Sequence, residues 1–128
     1  MKDLNEFLAD FEFIEADRLP SVTLDKSGRF NPNVAARRLI GIKPNDTVAI
    51  GYNPINYEIA FIPSRFAVEL EQASLSFYNV DQRYYMSARA FAKNYNFLGQ
   101  ARHFDYVRGM SGGEAYVFKM RPTDVFSD

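Results

Sequence analysis

Arg37 and Arg38 stand side by side, and Lys26, Arg29 and Lys43 flank them within residues 26–43. A guanidinium is a planar fork of donors that fits two oxygens of one phosphate, and a lysine ammonium adds a point charge. Five such groups on one face would neutralise several phosphates, and binding would weaken steeply with salt. On a helix Arg37 and Arg38 lie about 100° apart, so at least one must face solvent. The same five residues spread over several faces would be ordinary solvated charge. Convergence separates the two cases.

Other chemistry is sparse. The chain has no cysteine, which excludes a thiolate metal site, a Cys nucleophile and a disulfide scaffold. Its one histidine, His103, excludes a multi-histidine metal site. His103 has only Asp105 near it in sequence and is expected to be structural. The Gly112-Gly113 loop lacks the lysine and following helix of a phosphate-binding loop. Glu69 and Glu71 are two positions apart and cannot share a helix face. No nucleophile–base pair and no metal set is visible, so the expectation is a protein without enzymatic activity, metal or cofactor. Tyr78, Tyr84, Tyr85 and Tyr95 could stack on bases, or they could fill a barrel core or form an exposed interaction patch.

The whole chain has 128 residues, 47% of them hydrophobic and 16% aromatic, ample for a packed core in one domain or two very small ones. The net charge of −1 hides a segregation. Residues 1–17 carry one lysine against six carboxylates, whereas residues 18–121 carry fourteen cations against eight carboxylates. Asp124 and Asp128 make the end acidic again. A basic body suits a polyanion. The acidic segment 1–20 interleaves its carboxylates with Leu4, Phe7, Leu8, Phe11 and Phe13, so it could fold onto the basic body or dock a protein partner. No apolar run is long enough to span a membrane, and the first residues are too acidic for a secretory signal. A soluble, cytoplasmic protein is expected.

These groups need elements to hold them. Leu4, Phe7, Leu8 and Phe11 have helical spacing, while residues 11–16 alternate like an edge strand. A strand is expected at Val22–Leu24, then a turn over 25–28. Asn31 and Pro32 predict a helix start, and Gly41 its stop. Strands over 47–52 and 57–62 enclose a hairpin loop at 53–56. After a linker at 64–73 the order recurs. A strand over 74–80 and a turn over 81–83 lead to a short extended piece at 84–86 and a helix capped by Ser87. Strands over 102–108 and 115–120 then flank a glycine-rich loop.

The recurrence extends to residues: Ala35 matches Ala90, Ile42 matches Phe97, Val48 matches Phe104, Ile59 matches Phe118 and Pro63 matches Pro122. Two tandem β-α-β-β repeats, 21–63 and 74–122, with a tail at 123–128, are therefore expected. One repeat of this size buries too little apolar surface to stand alone, so the two must pair.

Residues 28–52 read Gly-Arg, a proline, Arg37-Arg38, Gly41-Ile42, Asp46 and an alternating strand. This spacing resembles the DNA-binding domain of AbrB-type regulators and, more distantly, the MazE antitoxin fold. The resemblance covers about 40 residues at 22–63, with a weaker duplicate at 74–122. It implies a mainly β protein with short helices, a pseudo-symmetric swapped-hairpin β-barrel in which arginines grip double-stranded DNA. That role falls on Arg29, Arg37 and Arg38, joined by Lys26, Lys43, Arg89 and Lys93. In the second repeat Tyr84 stands opposite Arg29 and Ala92 opposite Arg37, and Lys93 answers Arg38. The whole-chain plan is also similar to small phage and bacterial proteins. The expected function is a small DNA-binding transcriptional regulator. The rival is a protein-interaction module, such as a phage or host-defence accessory factor, that uses the acidic segment or an aromatic surface. A structural subunit is the third reading.

Overall fold

The computed structural model describes residues 3–11, 19–67 and 76–125. In chain order the elements are α1 (Leu4–Phe7), β1 (Ser21–Leu24), β2 (Arg29–Pro32), α2 (Val34–Ile40), β3 (Thr47–Asn53), β4 (Glu58–Pro63) and α3 (Ser64–Ala67). They continue with β5 (Phe77–Asn79), β6 (Met86–Ser87), α4 (Arg89–Asn94), β7 (Arg102–Gly109), β8 (Tyr116–Met120) and α5 (Pro122–Val125).

The eight strands form one antiparallel sheet in the order β5-β3-β4-β8-β7-β1-β2-β6. Its outer strands β5 and β6 lie against each other, so the sheet curls into a nearly closed barrel. Closure leaves little free edge to recruit other strands. In this ring the β2–β6 pair sits opposite the β4–β8 pair.

Phe30, Phe61, Phe104 and Phe118 fill the lumen with at most 1% exposure, beside Val22, Leu24, Val48, Ile59 and Met86. Phe61 meets both Phe30 and Phe118 edge-on, at 5.8 and 5.6 Å between ring centres. Burying each phenyl contributes roughly 2–3 kcal/mol, and the edge-on geometry suits the ring quadrupoles.

α2 forms where the sequence indicates, with a different cap. Asn33, not Asn31, caps it: the Asn33 Oδ1 accepts from the Ala36 N–H at 2.9 Å. Pro32 is the buried last residue of β2 rather than part of the helix. Gly41 ends α2 at φ 76°, its N–H donating to the Arg37 carbonyl at 2.8 Å. β2 itself was not anticipated, because Arg-Phe-Asn-Pro has little strand character by composition. A proline at the end of a strand costs no ladder bond inside it. Each half of the chain thus supplies β-β-α-β-β instead of β-α-β-β. In the second half Ser87 lies in β6 and caps nothing; α4 begins at Arg89 with no side-chain cap.

In α1, Asp3 caps the helix by accepting from the Glu6 N–H at 2.8 Å. Leu4, Phe7 and Phe11 are 61–71% exposed. The strand alternation read at residues 11–16 lies outside the described residues except for Phe11. Of the linker read at 64–73, α3 is described and the rest is not. Among the described residues, no helix is long and apolar enough to cross a membrane.

Candidate nucleic-acid interface

Two turns organise the β2–β6 wall. In the first, Asp25 Oδ1 accepts from the backbone N–H groups of Ser27 and Arg29, both at 2.9 Å. The Asp25 N–H donates to the Arg29 carbonyl, and the Gly28 N–H to the Asp25 carbonyl. In the second, Asp81 Oδ1 accepts from the N–H groups of Arg83 and Tyr85, at 2.8 and 2.9 Å. The Asp81 N–H donates to the Tyr85 carbonyl, and the Tyr84 N–H to the Asp81 carbonyl. The bonds are the same, 56 positions apart. Both turns put their fourth residue in the left-handed region, Gly28 at φ 87° and Tyr84 at φ 66°. Such a conformation is nearly free for glycine and costs a side-chain residue about 1–2 kcal/mol.

Each turn packs on the helix of the other half. A Cβ on Gly28 would lie 2.9 Å from the Arg89 Cα and 3.2 Å from the Ala92 Cβ, so only glycine lets α4 approach this closely. The Gly28 carbonyl accepts from the Ala88 N–H at 2.8 Å. Across the wall, the Arg37 guanidinium of α2 sits 4.2 Å from the centre of the Tyr84 ring. Next to it, the Arg29 guanidinium sits 4.2 Å from the centre of the Tyr85 ring. Each such stack contributes about 0.5–1 kcal/mol at an exposed site and fixes the direction of a long side chain.

Six of the seven residues read from the sequence lie on the first turn, β2, α2 and α4. Arg29 is ion-paired through Nε to Asp25 Oδ2 at 2.9 Å and stacked on Tyr85. Arg37 donates from Nε to the Pro32 carbonyl at 3.0 Å. Arg89 reaches the Ser27 carbonyl from Nη1 at 3.4 Å. Lys26 is exposed in the first turn, and its carbonyl accepts from the Gly99 N–H. Lys93 is exposed one helical turn beyond Arg89 and shares its face. Arg38 is exposed on α2 beside Arg37. Lys43 is apart: it is exposed in the turn after α2, where its backbone N–H donates to Asp46 Oδ2 at 2.9 Å.

Arg83 is an addition. It is exposed in the second turn, and its carbonyl accepts from Asn31 Nδ2 at 3.3 Å. The Asp25/Asp81 spacing of 56 marks the second turn that holds it, and aligns Arg29 with Tyr85 and Arg37 with Lys93. An offset of 55 matches Arg29 to Tyr84 instead. Phe30 pairs across β2 and β6 with Met86, 56 positions on, and both are fully buried. Neither family models, curated proteins nor solved structures match this chain.

The two walls differ in how their charges pair. Around β4, β7 and β8 three carboxylates are paired: Glu58 with Arg108, two bonds at 2.7 and 2.9 Å; Asp105 with Arg121 at 3.0 Å; Asp124 with His103 at 3.1 Å. The Arg108 fork holds the buried Glu58 carboxyl below its usual range, with burial opposing and Lys119 assisting. Asp124, not Asp105, is the carboxylate that meets His103; it also accepts the His103 backbone N–H at 2.6 Å and so clips α5 to β7. On the β2–β6 wall, burial pushes the Asp25 carboxyl up. The N–H groups of Arg29 and Ser27 and the Arg29 guanidinium together outweigh it, and Asp25 stays ionised below its usual range. Lys26, Arg37, Arg38, Arg83, Arg89 and Lys93 form no ion pair among the described residues.

The tyrosines divide. Tyr84 and Tyr85 lie on the basic wall under arginines. Tyr95 joins Tyr52, Phe91 and Phe97 in a cluster with ring centres 4.8–6.2 Å apart, which anchors α4. Among the described residues, no group of three His, Cys, Asp or Glu is placed to hold a metal ion.

Proposed function

We propose that this chain binds double-stranded DNA without catalysing a reaction, as a small transcriptional regulator of AbrB-like type. In this reading the barrel is a swapped-hairpin barrel made by two copies of one β-β-α-β-β unit in a single chain. The strand registers support the duplication. Shifting the pair Val22↔Phe104 by 56 positions gives Tyr78↔Val48, which is the observed pairing of β5 with β3. Phe30↔Met86 at 56 and Ile59↔Phe118 at 59 map onto themselves, as pairs on a two-fold axis must. Each hairpin, β3–β4 or β7–β8, lies between strands of the opposite half.

One observation carries the DNA reading. The two guanidinium–tyrosine stacks use the consecutive rings Tyr84 and Tyr85, on a wall where Lys26, Arg37, Arg38, Arg83, Arg89 and Lys93 form no ion pair among the described residues, while Glu58, Asp105 and Asp124 are paired on the opposite wall. Stacked arginines are presented to a phosphate chain with less entropy to lose.

A gel-shift titration on a duplex of mixed sequence, repeated across a salt series, tests this. Binding should fall log-linearly with salt. Replacing Arg37 and Arg38 by alanine should lower the slope by about 2, close to one unit per lost phosphate contact. No shift at low salt, or an unchanged slope in the double variant, refutes the reading.

A second reading rests on α1. Leu4, Phe7 and Phe11 are largely exposed among Asp3, Glu6 and Asp10, which suits a protein partner with a basic-rimmed apolar groove. A stoichiometric protein complex free of nucleic acid, lost on replacing Phe7 and Phe11 by serine, would favour it.

A further inference from the structure

A two-fold axis through the β2–β6 pair would relate the turn at 25–29 to the turn at 81–85, and α2 to α4. The backbones obey this relation and the charges break it. At positions related by 56, Lys26 faces Gln82, Ser27 faces Arg83, Arg29 faces Tyr85, Asn33 faces Arg89, and Arg38 faces Asn94. Arg37 and Lys93 alone keep a cation on both sides. The two stacks are themselves one-sided. In both, the guanidinium comes from the first half and the ring from the second. Asn33 also does work that Arg89 does not repeat. It caps α2 and donates from Nδ2 to the Leu19 carbonyl at 2.9 Å, whereas Arg89 reaches to the Ser27 carbonyl.

From this broken symmetry we infer that the wall takes duplex DNA in one orientation and reads a site without two-fold symmetry. The inference rests on the DNA reading above. A two-fold protein surface offers the same contacts to both strands of a palindrome, and half-sites then mirror the subunits. Here the two approaches differ in contact chemistry. The edge with Lys26, Arg29, Arg37 and Arg38 supplies forks and charges for phosphates. The edge with Arg83, Arg89 and Lys93 supplies two forks and one ammonium, beside Tyr84 and Tyr85, whose rings lie under Arg37 and Arg29. Rotating the DNA by half a turn would replace Lys26, Arg29 and Arg38 by Gln82, Tyr85 and Asn94 and bring Arg83 and Arg89 where Ser27 and Asn33 stood, so the cations would meet different phosphates and the orientations are unequal in energy.

The absence of cysteine provides the test, because one introduced thiol is a unique attachment point. Ser27→Cys and, separately, Gln82→Cys would each be labelled with an iron chelate that cuts nearby DNA. Each labelled protein would be bound to duplex selected from a random pool by the unmodified chain. The expected result is a selected sequence without dyad symmetry, cut on one flank by the label at 27 and on the other flank by the label at 82. The preference should be about ten-fold or more, the ratio that one unequal charged contact can supply. A palindromic selected site, or equal cutting of both flanks by each label, overturns the inference and leaves DNA binding standing. Failure to select any duplex, with no shift at low salt, removes the DNA reading instead.

Discussion

Asp25 is the residue on which the first turn depends, and removing its carboxylate should cost about 2–3 kcal/mol. Its Oδ1 holds two backbone N–H groups and its Oδ2 holds the Arg29 Nε, all at 2.9 Å. A hydrogen bond to a charged group contributes about 1.5–3 kcal/mol when sheltered. The Asp25 side chain is 24% exposed and its Arg29 partner 46%, so water recovers part of each loss. About 1 kcal/mol for each N–H and at most 1 for the ion pair follows. Asp25→Ala should then lower the melting temperature by roughly 8–12 °C at pH 7. Asp25→Asn keeps one acceptor oxygen and should lose about half as much. The effect has a pH signature. Against burial, the folded state holds this carboxyl below the ordinary value of an aspartate, through the Arg29 and Ser27 N–H groups and the Arg29 guanidinium. Its contribution is therefore complete above that value and disappears as pH falls through the lower folded one. Urea unfolding followed by tyrosine circular dichroism at pH 7 and near pH 3 measures both. A gap from the native chain below about 0.5 kcal/mol at neutral pH, or one that stays constant into acid, would refute the reasoning.

Other consequences are as direct. Gly28→Ala should destabilise by about 2–4 kcal/mol, because it combines positive φ with a Cβ 2.9 Å from the Arg89 backbone. Gly41→Ala meets nothing within 4 Å and should cost only about 1 kcal/mol. Paired chemical denaturation curves separate the two. Asn33→Ala should cost about 2 kcal/mol, more than an ordinary helix cap, because the same side chain also bonds the Ser21 N–H and the Leu19 carbonyl; equal stability to the native chain would show that the cap is dispensable. Glu58→Gln should weaken the fold at neutral pH and converge with the native chain in acid, since the contribution of the depressed Glu58 carboxyl is complete above its usual value and is lost as pH falls through the lower folded one. Thermal melts at several pH values show whether the curves meet.

Much of the barrel was readable because its signals are local. Alternation marked β3, β4, β7 and β8, and Gly41 marked the end of α2. What escaped depends on distant partners. β2 is a strand because β1 and β6 lie on either side of it, not because Arg-Phe-Asn-Pro prefers one. Arg29 and Arg37 were visible as cations, but the tyrosines beneath them are more than 45 positions away. Asp124 meets His103 across 21 positions. The likeness of the two turns is hidden in the sequence because Tyr84 occupies a backbone conformation that usually announces itself as glycine.

The interleaving of β4 between β3 and β8 has a consequence during synthesis. A nascent chain that has emerged only as far as Pro63 holds a hairpin whose second flank is bare, with Ile59 and Phe61 waiting for partners almost 60 residues downstream. Nothing in the first half can supply them. Until the ribosome delivers β8, that open flank invites strands from neighbouring chains, and crowded translation on one messenger would be the most hazardous moment in the life of this protein.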